Sequence, residues 1–131
     1  MRKTLLALAA FAFTTPAAAQ SIVVTGSEDD GLAPLSVAYE ELKAGQNEVA
    51  VAKLTQGKIE CDDPSRLINL GTAYARLGQK ADARIAYEAA IASHIRYDVE
   101  LANGNYMDSR WAARAALANL TTGKPLLALA R

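Results

Sequence analysis

Apolar residues return at three- and four-residue spacing along most of the chain, and this period predicts a succession of amphipathic helices. Leu35, Ala38, Tyr39 and Leu42 give one apolar face to a helix over 33–45, with Pro34 in its first turn and Gly45 ending it. Asn47 is placed to cap a second helix, "EVAVAKLTQG", whose faces are marked by Val49, Ala50, Lys53 and Leu54 and whose end lies near Gly57. Asp63 is a good N-cap and Pro64 a good first helical residue for a third helix. Its inward stripe is Leu67, Leu70, Ala73, Tyr74 and Leu77, and Gly78 stops it. A fourth, "KADARIAYEAAIAS", turns Ala83, Tyr87, Ala90 and Ile91 inward. The period then changes to alternation in "YDVELANGNYMD". Asn103-Gly104 is a strong two-residue turn signal, so a β-hairpin is expected with arms near 97–102 and 105–108. Ser109 is expected to cap a last helix through about Leu120, packing through Ala113, Ala116, Leu117 and Leu120, with Trp111 at its edge and in the core.

The two ends do not belong to this pattern. Residues 1–19 combine Arg2 and Lys3, the apolar run "TLLALAAFAF" and small residues at Ala17 and Ala19. That order of basic start, short apolar run and A-x-A site predicts an export signal cleaved after Ala19, and hence a periplasmic destination with no membrane insertion after cleavage. Residues 20–32 read as a flexible N-terminal arm, apolar at first and then acidic. Its "IVVTG" resembles the stretch that follows the signal in many TonB-dependent outer-membrane receptors, which adds as a strand to a partner's sheet. Residues 123–131 form an apolar tail interrupted by Gly123 and Pro125. Without Arg2 and Lys3, 12 basic residues face 14 acidic ones, so nothing electrostatic points to nucleic acid. Cys61 is the only cysteine, so no internal disulfide is available, and it reads as a small buried residue at a helix end.

The two helical hairpins, 33–63 and 64–97, align at an offset of 33 residues: Ala38 with Gly71, Gly45 with Gly78, Ala50 with Ala83, and Gly57 with Ala90. Small residues at matched positions let helix ridges seat in neighbouring grooves. A period in the low thirties with helix–turn–helix units is a repeat-protein signature. Residues 64–97 resemble a tetratricopeptide repeat (TPR). Leu67 stands at the usual Trp position, followed by Leu70-Gly71, Tyr74, Gly78, Ala83, Tyr87 and Ala90, with Ile95 in place of the closing Pro. In 33–63, Gly45 and Ala50 are kept while Glu41 replaces the Tyr. The "RYD…NG…DSR" series near the C-terminus is similar to that of short exported bacterial proteins of this kind. The resemblance implies a mainly α, TPR-like α-α superhelix of two hairpins, followed over 98–122 by a β-hairpin and a capping helix. Two units are fewer than a repeat stack usually needs, so the last segment is expected to cover the open end, or a second copy is.

No chemical motif emerges. His94 is the only histidine and sits at a helix C-terminus, where the dipole favours a cation. "ECDD" (60–63) reads as a helix end plus cap, and "SEDDG" lacks the spaced acids of a calcium loop. Neither a Gly-rich phosphate cradle nor a nucleophile elbow is present, so no enzyme activity, cofactor or metal is expected. The Asn119-Leu120-Thr121 glycosylation pattern has no meaning at a bacterial address. The TPR resemblance implies a concave face lined by the first helix of each unit. Carried onto this chain, the partner-binding residues are Asn69, Thr72 and Arg76, with Ser65 and Ile68 beside them, and Tyr39 and Lys43 from the first unit. Such a surface suits an extended peptide backbone. Arg110, Trp111 and Arg114 make a second candidate patch. The expectation is therefore a periplasmic adaptor or assembly factor that binds a protein or peptide. The alternative is a structural envelope subunit that associates with itself.

Overall fold

The computed structural model of the protein describes residues 22–25, 37–56 and 61–123. The expected leader, most of the arm, the expected helix start at 33–36 with Pro34 and Leu35, residues 57–60 with Gly57, and the tail from 124 onward lie outside the described residues. The fold is mainly α, with a small antiparallel sheet. In chain order the elements are β1 (Val24–Thr25), α1 (Tyr39–Lys43), α2 (Asn47–Gln56), α3 (Pro64–Arg76), α4 (Lys80–Ala92), β2 (Asp98–Leu101), β3 (Tyr106–Asp108) and α5 (Ser109–Thr122). Among the described residues no helix is long and apolar enough to cross a membrane.

Helix α3 is the centre of the molecule, packed against α1, α2, α4, α5 and β1. Its start follows the expected chemistry: the Asp63 carboxylate accepts the Arg66 N–H at 2.9 Å, and Pro64 occupies the first turn. From Pro64 to Ala73 every residue except Arg66 is buried. Two cores lie on either side. One joins Leu67, Ile68, Ala83, Tyr87 and Ala90 to Val99, Leu101 and the alanine face of α5. The other joins Leu42, Ala50 and Leu54 to Leu70, Ala73 and Ala86.

Several expectations are corrected. Of the helix expected over 33–45 only 37–45 is described, and there α1 starts at Tyr39, because Ala38 takes a left-handed conformation (φ 56°, ψ 32°) that an α-helix cannot continue through. Asn47 is the first helical residue of α2 rather than its cap. Asp108, not Ser109, caps α5, its carboxylate accepting the Trp111 N–H at 3.2 Å. Trp111 is 54% exposed, not part of a core, because four alanines, Ala112, Ala113, Ala115 and Ala116, already fill the contact face of that helix. Cys61 is exposed, not buried. Gly45 and Gly78 do not mark close helix contacts: both have positive φ (74° and 77°) and open space beside them, so they reverse the chain between helices.

The largest difference concerns the arm. Ile22 to Val24 are buried rather than part of a flexible segment, and Val24–Thr25 form β1. The hairpin β2–β3 forms around the Asn103-Gly104 turn as expected (Gly104 φ 80°), but the sheet has three strands in the order β1-β2-β3. All pairings are antiparallel, with Val24 opposite Leu101 and Val99 opposite Met107. Side chains of an extended strand alternate, and here the alternation separates the cores. Ile22 and Val24 enter the core shared with β2 and α5, whereas Val23 enters the one shared with α1 and α2. The segment is a wedge between the halves of the domain.

Candidate functional site

A polar stripe runs along α3 on the side that faces β1 and the ends of its neighbours. Ser65, Asn69, Thr72 and Arg76 fall at spacings of three and four, which places them on one helix face. In sequence the stripe looks like a solvated surface. In the structure Ser65, Asn69 and Thr72 are buried, and each of the four is bonded to another segment.

Asn69 is the centre of the site. Its Oδ1 accepts the Val24 N–H at 2.6 Å, and its Nδ2 donates to the Val24 carbonyl at 2.7 Å and to the Val37 carbonyl at 2.8 Å. A primary amide carries the same donor and acceptor pair as a peptide unit, so Asn69 occupies the place that a further strand would take beside β1. On its other side β1 pairs with β2, and the Ala102 N–H donates to the Val23 carbonyl at 3.0 Å. The result is a slot between α3 and β2 that reads main-chain atoms and has received an extended apolar segment.

One turn further along α3, the Thr72 hydroxyl donates to the Ile22 carbonyl. That bond uses the hydroxyl's only proton, so the Tyr87 hydroxyl, 3.1 Å away, is the donor in the Thr72–Tyr87 pair. Tyr87, on α4, is nearly fully buried, and burial pushes its phenol up to about 12 against the opposing effects of Thr72 and the Arg76 charge. Arg76 donates from Nη1 to the Leu42 carbonyl at 2.6 Å and so ties the end of α1 to α3. Burial lowers the Arg76 pKa, with the neighbouring Tyr87 opposing the shift.

Of the five residues expected to bind a partner, Asn69 and Thr72 therefore converge on β1, and Arg76 reaches the end of α1. Tyr39 and Lys43 pair with each other, the ammonium lying 5.7 Å from the ring centroid. Tyr39 also packs against the core that takes Val23, while Lys43 is exposed. Ile68 lies in the core, and Ser65 pairs with the Tyr97 hydroxyl at 2.7 Å. That hydroxyl donates to Asp63 at 2.8 Å, and burial, with the Asp63 charge in support and the Ser65 bond opposing, raises the Tyr97 phenol to about 12.

The "RYD…NG…DSR" series is built into the same framework. Arg96 pairs with Asp108 at 2.6 Å, Tyr97 exchanges main-chain and side-chain bonds with Ser109, and Arg110 donates to the Ser93 carbonyl at 3.1 Å. Arg110, Arg66 and Arg76 each serve a carbonyl at the end of a helix, α4, α2 and α1 respectively. Arg110 thus has a structural partner, while Trp111 and Arg114 are exposed.

Sequence reasoning did not identify Tyr87 or the three-residue run Ile22–Val24 as parts of this site. The available signal was the run itself: three consecutive β-branched residues are unusual in a solvated arm. Elsewhere, a shallow apolar depression of about 220 Å³ between α3 and α4 is bordered by Leu70, Tyr74, Ile85 and Ala86, with Asp82 its one charged group. It lacks the convergent polar groups that the slot has. Among the described residues no three His, Cys, Asp or Glu side chains gather as a metal site, and His94 and Cys61 are both exposed. No family model, curated protein or solved structure matches the chain.

Proposed function

We propose that this chain is an exported, TPR-like, non-enzymatic binding module of the periplasm, an adaptor or assembly factor that holds an extended polypeptide segment in the slot between α3 and β2. The observation that carries the reading is the amide clamp of Asn69 on Val24, supported by the hydroxyl of Thr72 on Ile22. These groups contact main-chain atoms, and strand addition beside β2 supplies the remaining backbone partners, a recurrent way of recognising an extended peptide. Side-chain selection then falls to the two apolar cores, which take alternate residues.

In the resting chain the slot holds residues 22–25 of the protein itself, so an incoming segment competes with a tethered one. Tethering sets an effective concentration on the order of millimolar, which an incoming segment must exceed or offset by better contacts. A peptide of residues 20–26 added to a chain carrying Val24→Pro tests the reading. Proline removes the N–H that Asn69 accepts and weakens the internal strand. The substitution should lower the melting temperature, and the added peptide should raise it again by mass action, whereas a scrambled peptide should not. Equal melting temperatures with and without the peptide would refute strand holding.

A further inference from the structure

We propose that Asn103, at the tip of the β2–β3 hairpin, is a site of spontaneous hydrolytic modification: it converts to aspartate and isoaspartate in the folded chain, and the isoaspartate form loosens the hold of β2 on β1. The inference concerns the hairpin and stands whatever else the slot can hold.

The reaction needs a side-chain amide beside a backbone nitrogen that nothing shields. Asn103 and Gly104 are both exposed, and no atom lies within 4 Å of where a Cβ on residue 104 would stand. Glycine leaves its own nitrogen open to approach, where a larger residue would screen it. Asn103 Oδ1 accepts the Asn105 N–H at 3.0 Å, which folds the amide forward across the nitrogen of Gly104 between them. The same N–H faces the oxygen on which negative charge develops when the amide carbon is attacked. One contact opposes the attack: the Gly104 N–H donates to the Leu101 carbonyl at 2.8 Å. Reaction therefore follows the opening of a single bond at an exposed hairpin tip.

Solvent base removes the Gly104 amide proton, and the nitrogen bonds to Asn103 Cγ. The bond from Cγ to Nδ2 breaks, and Nδ2 takes up a proton and leaves as ammonia. A five-membered cyclic imide remains, and water adds to one of its two carbonyl carbons. Addition at Cγ breaks the new bond and gives aspartate. Addition at the main-chain carbon breaks the original peptide bond and gives isoaspartate, whose backbone runs through Cβ and Cγ. Overall one water is consumed for each ammonia released, and nothing is oxidised or reduced.

The product matters because of where the turn sits. Leu101 lies opposite Val24 in the sheet, and the Ala102 N–H donates to the Val23 carbonyl at 3.0 Å, so the residues just before Asn103 are those that hold β1. The turn is closed by the Leu101 N–H on the Asn105 carbonyl and by the Gly104 N–H on the Leu101 carbonyl, each at 2.8 Å. An extra backbone carbon between residues 103 and 104 changes the loop length on which that register depends.

The test incubates the folded full-length chain at neutral and mildly alkaline pH, digests it, and follows each asparagine peptide by mass, with isoaspartate distinguished by fragmentation. Asn105, also exposed but followed by Tyr106, is the internal reference. Asn103 should convert about tenfold faster or more, owing to the unscreened nitrogen and the preset geometry, and its rate should rise with hydroxide concentration. Asn103→Gln should stop conversion at that position, because the longer side chain would have to close a six-membered ring. Residue 103 is not left-handed, so the replacement is unstrained. Conversion of Asn103 no faster than that of Asn105, or seen only in urea, overturns the site. In the aged chain, amide exchange at Val24 and Ala102 should be roughly fivefold faster, the factor for about one lost backbone hydrogen bond, with α4 unchanged. Asn103→Gln aged in the same way should show no acceleration. Unchanged exchange at Val24 in chains that contain isoaspartate overturns the link to β1.

Discussion

A methyl group added to Gly71 would lie 2.6 Å from Cε1 and 2.7 Å from Cδ1 of the Tyr87 ring, inside any permitted contact. Helices α3 and α4 approach that closely because this position carries no side chain. The ring cannot move aside, since its hydroxyl is bonded to Thr72 and its faces are buried. Gly71→Ala should therefore cost about 1–3 kcal/mol by overpacking, despite the better helix propensity of alanine, and Gly71→Leu should prevent folding. Urea unfolding checks the first and circular dichroism the second. Adding Tyr87→Leu to Gly71→Ala should recover part of the loss, because the shorter side chain vacates the contact.

Asn69→Leu keeps the approximate volume and removes the amide. Three groups then lose their partner: the Val24 N–H and the Val24 and Val37 carbonyls. A buried group left unsatisfied costs about 1–3 kcal/mol, so a total of roughly 3 kcal/mol or more is expected. The loss should be local before it is global. Amide hydrogen exchange should accelerate at Val24 and Ala102, whose bonds belong to β1, before it does within α4.

That local dependence explains which parts of the molecule could be read from sequence. Helices α3 and α4 carry their own instructions: Asp63 and Pro64 start one, Gly78 turns the chain, and the apolar spacing sets the contact faces. The hairpin β2–β3 is marked by Asn103-Gly104. Strand β1 has only two residues, and its partners lie 45 or more positions away on α3 and β2, so no local period announces it. Asn69 and Thr72 were legible as groups suited to an extended backbone, but not as buried ones, because what covers them is that distant segment. The bend before α1 was not legible for a similar reason: the Val37 carbonyl is bonded to Asn69, 32 positions away, and the left-handed Ala38 beside it opposes the local helical pattern.

Alkaline pH offers a separate check. Tyr87 and Tyr97 both have phenols raised to about 12 in the folded chain, against an ordinary value near 10. A raised acid stays neutral longer in the folded state than in the unfolded one. Its contribution is thus complete below pH 10 and is lost as pH rises through the window from 10 to 12. The urea midpoint should fall across that window. Tyr97→Phe, which also removes the bonds to Asp63 and Ser65, should lower the midpoint at neutral pH and flatten its alkaline decline.

Arg76 separates a framework role from a surface one. As an open groove residue it would tolerate reversal of charge, with an effect on partner binding alone. The structure has its guanidinium donating to the Leu42 carbonyl, the contact that fastens α1 to α3. Arg76→Glu places an acceptor where a donor is needed and adds a negative charge near the C-terminal carbonyls of α1, where the helix dipole already disfavours one. A loss of about 1.5–3 kcal/mol is expected from the charge-assisted bond. Arg76→Lys should recover only part of it, since an ammonium lacks the planar fork. Because α1 follows Ala38 directly, loosening it also loosens the end of the connection to β1. Arg76→Glu should accordingly raise proteolytic cleavage between Thr25 and Tyr39 while leaving the α4–α5 pair protected. Unchanged cleavage together with unchanged stability would mean that the Leu42 contact does not hold α1 in place.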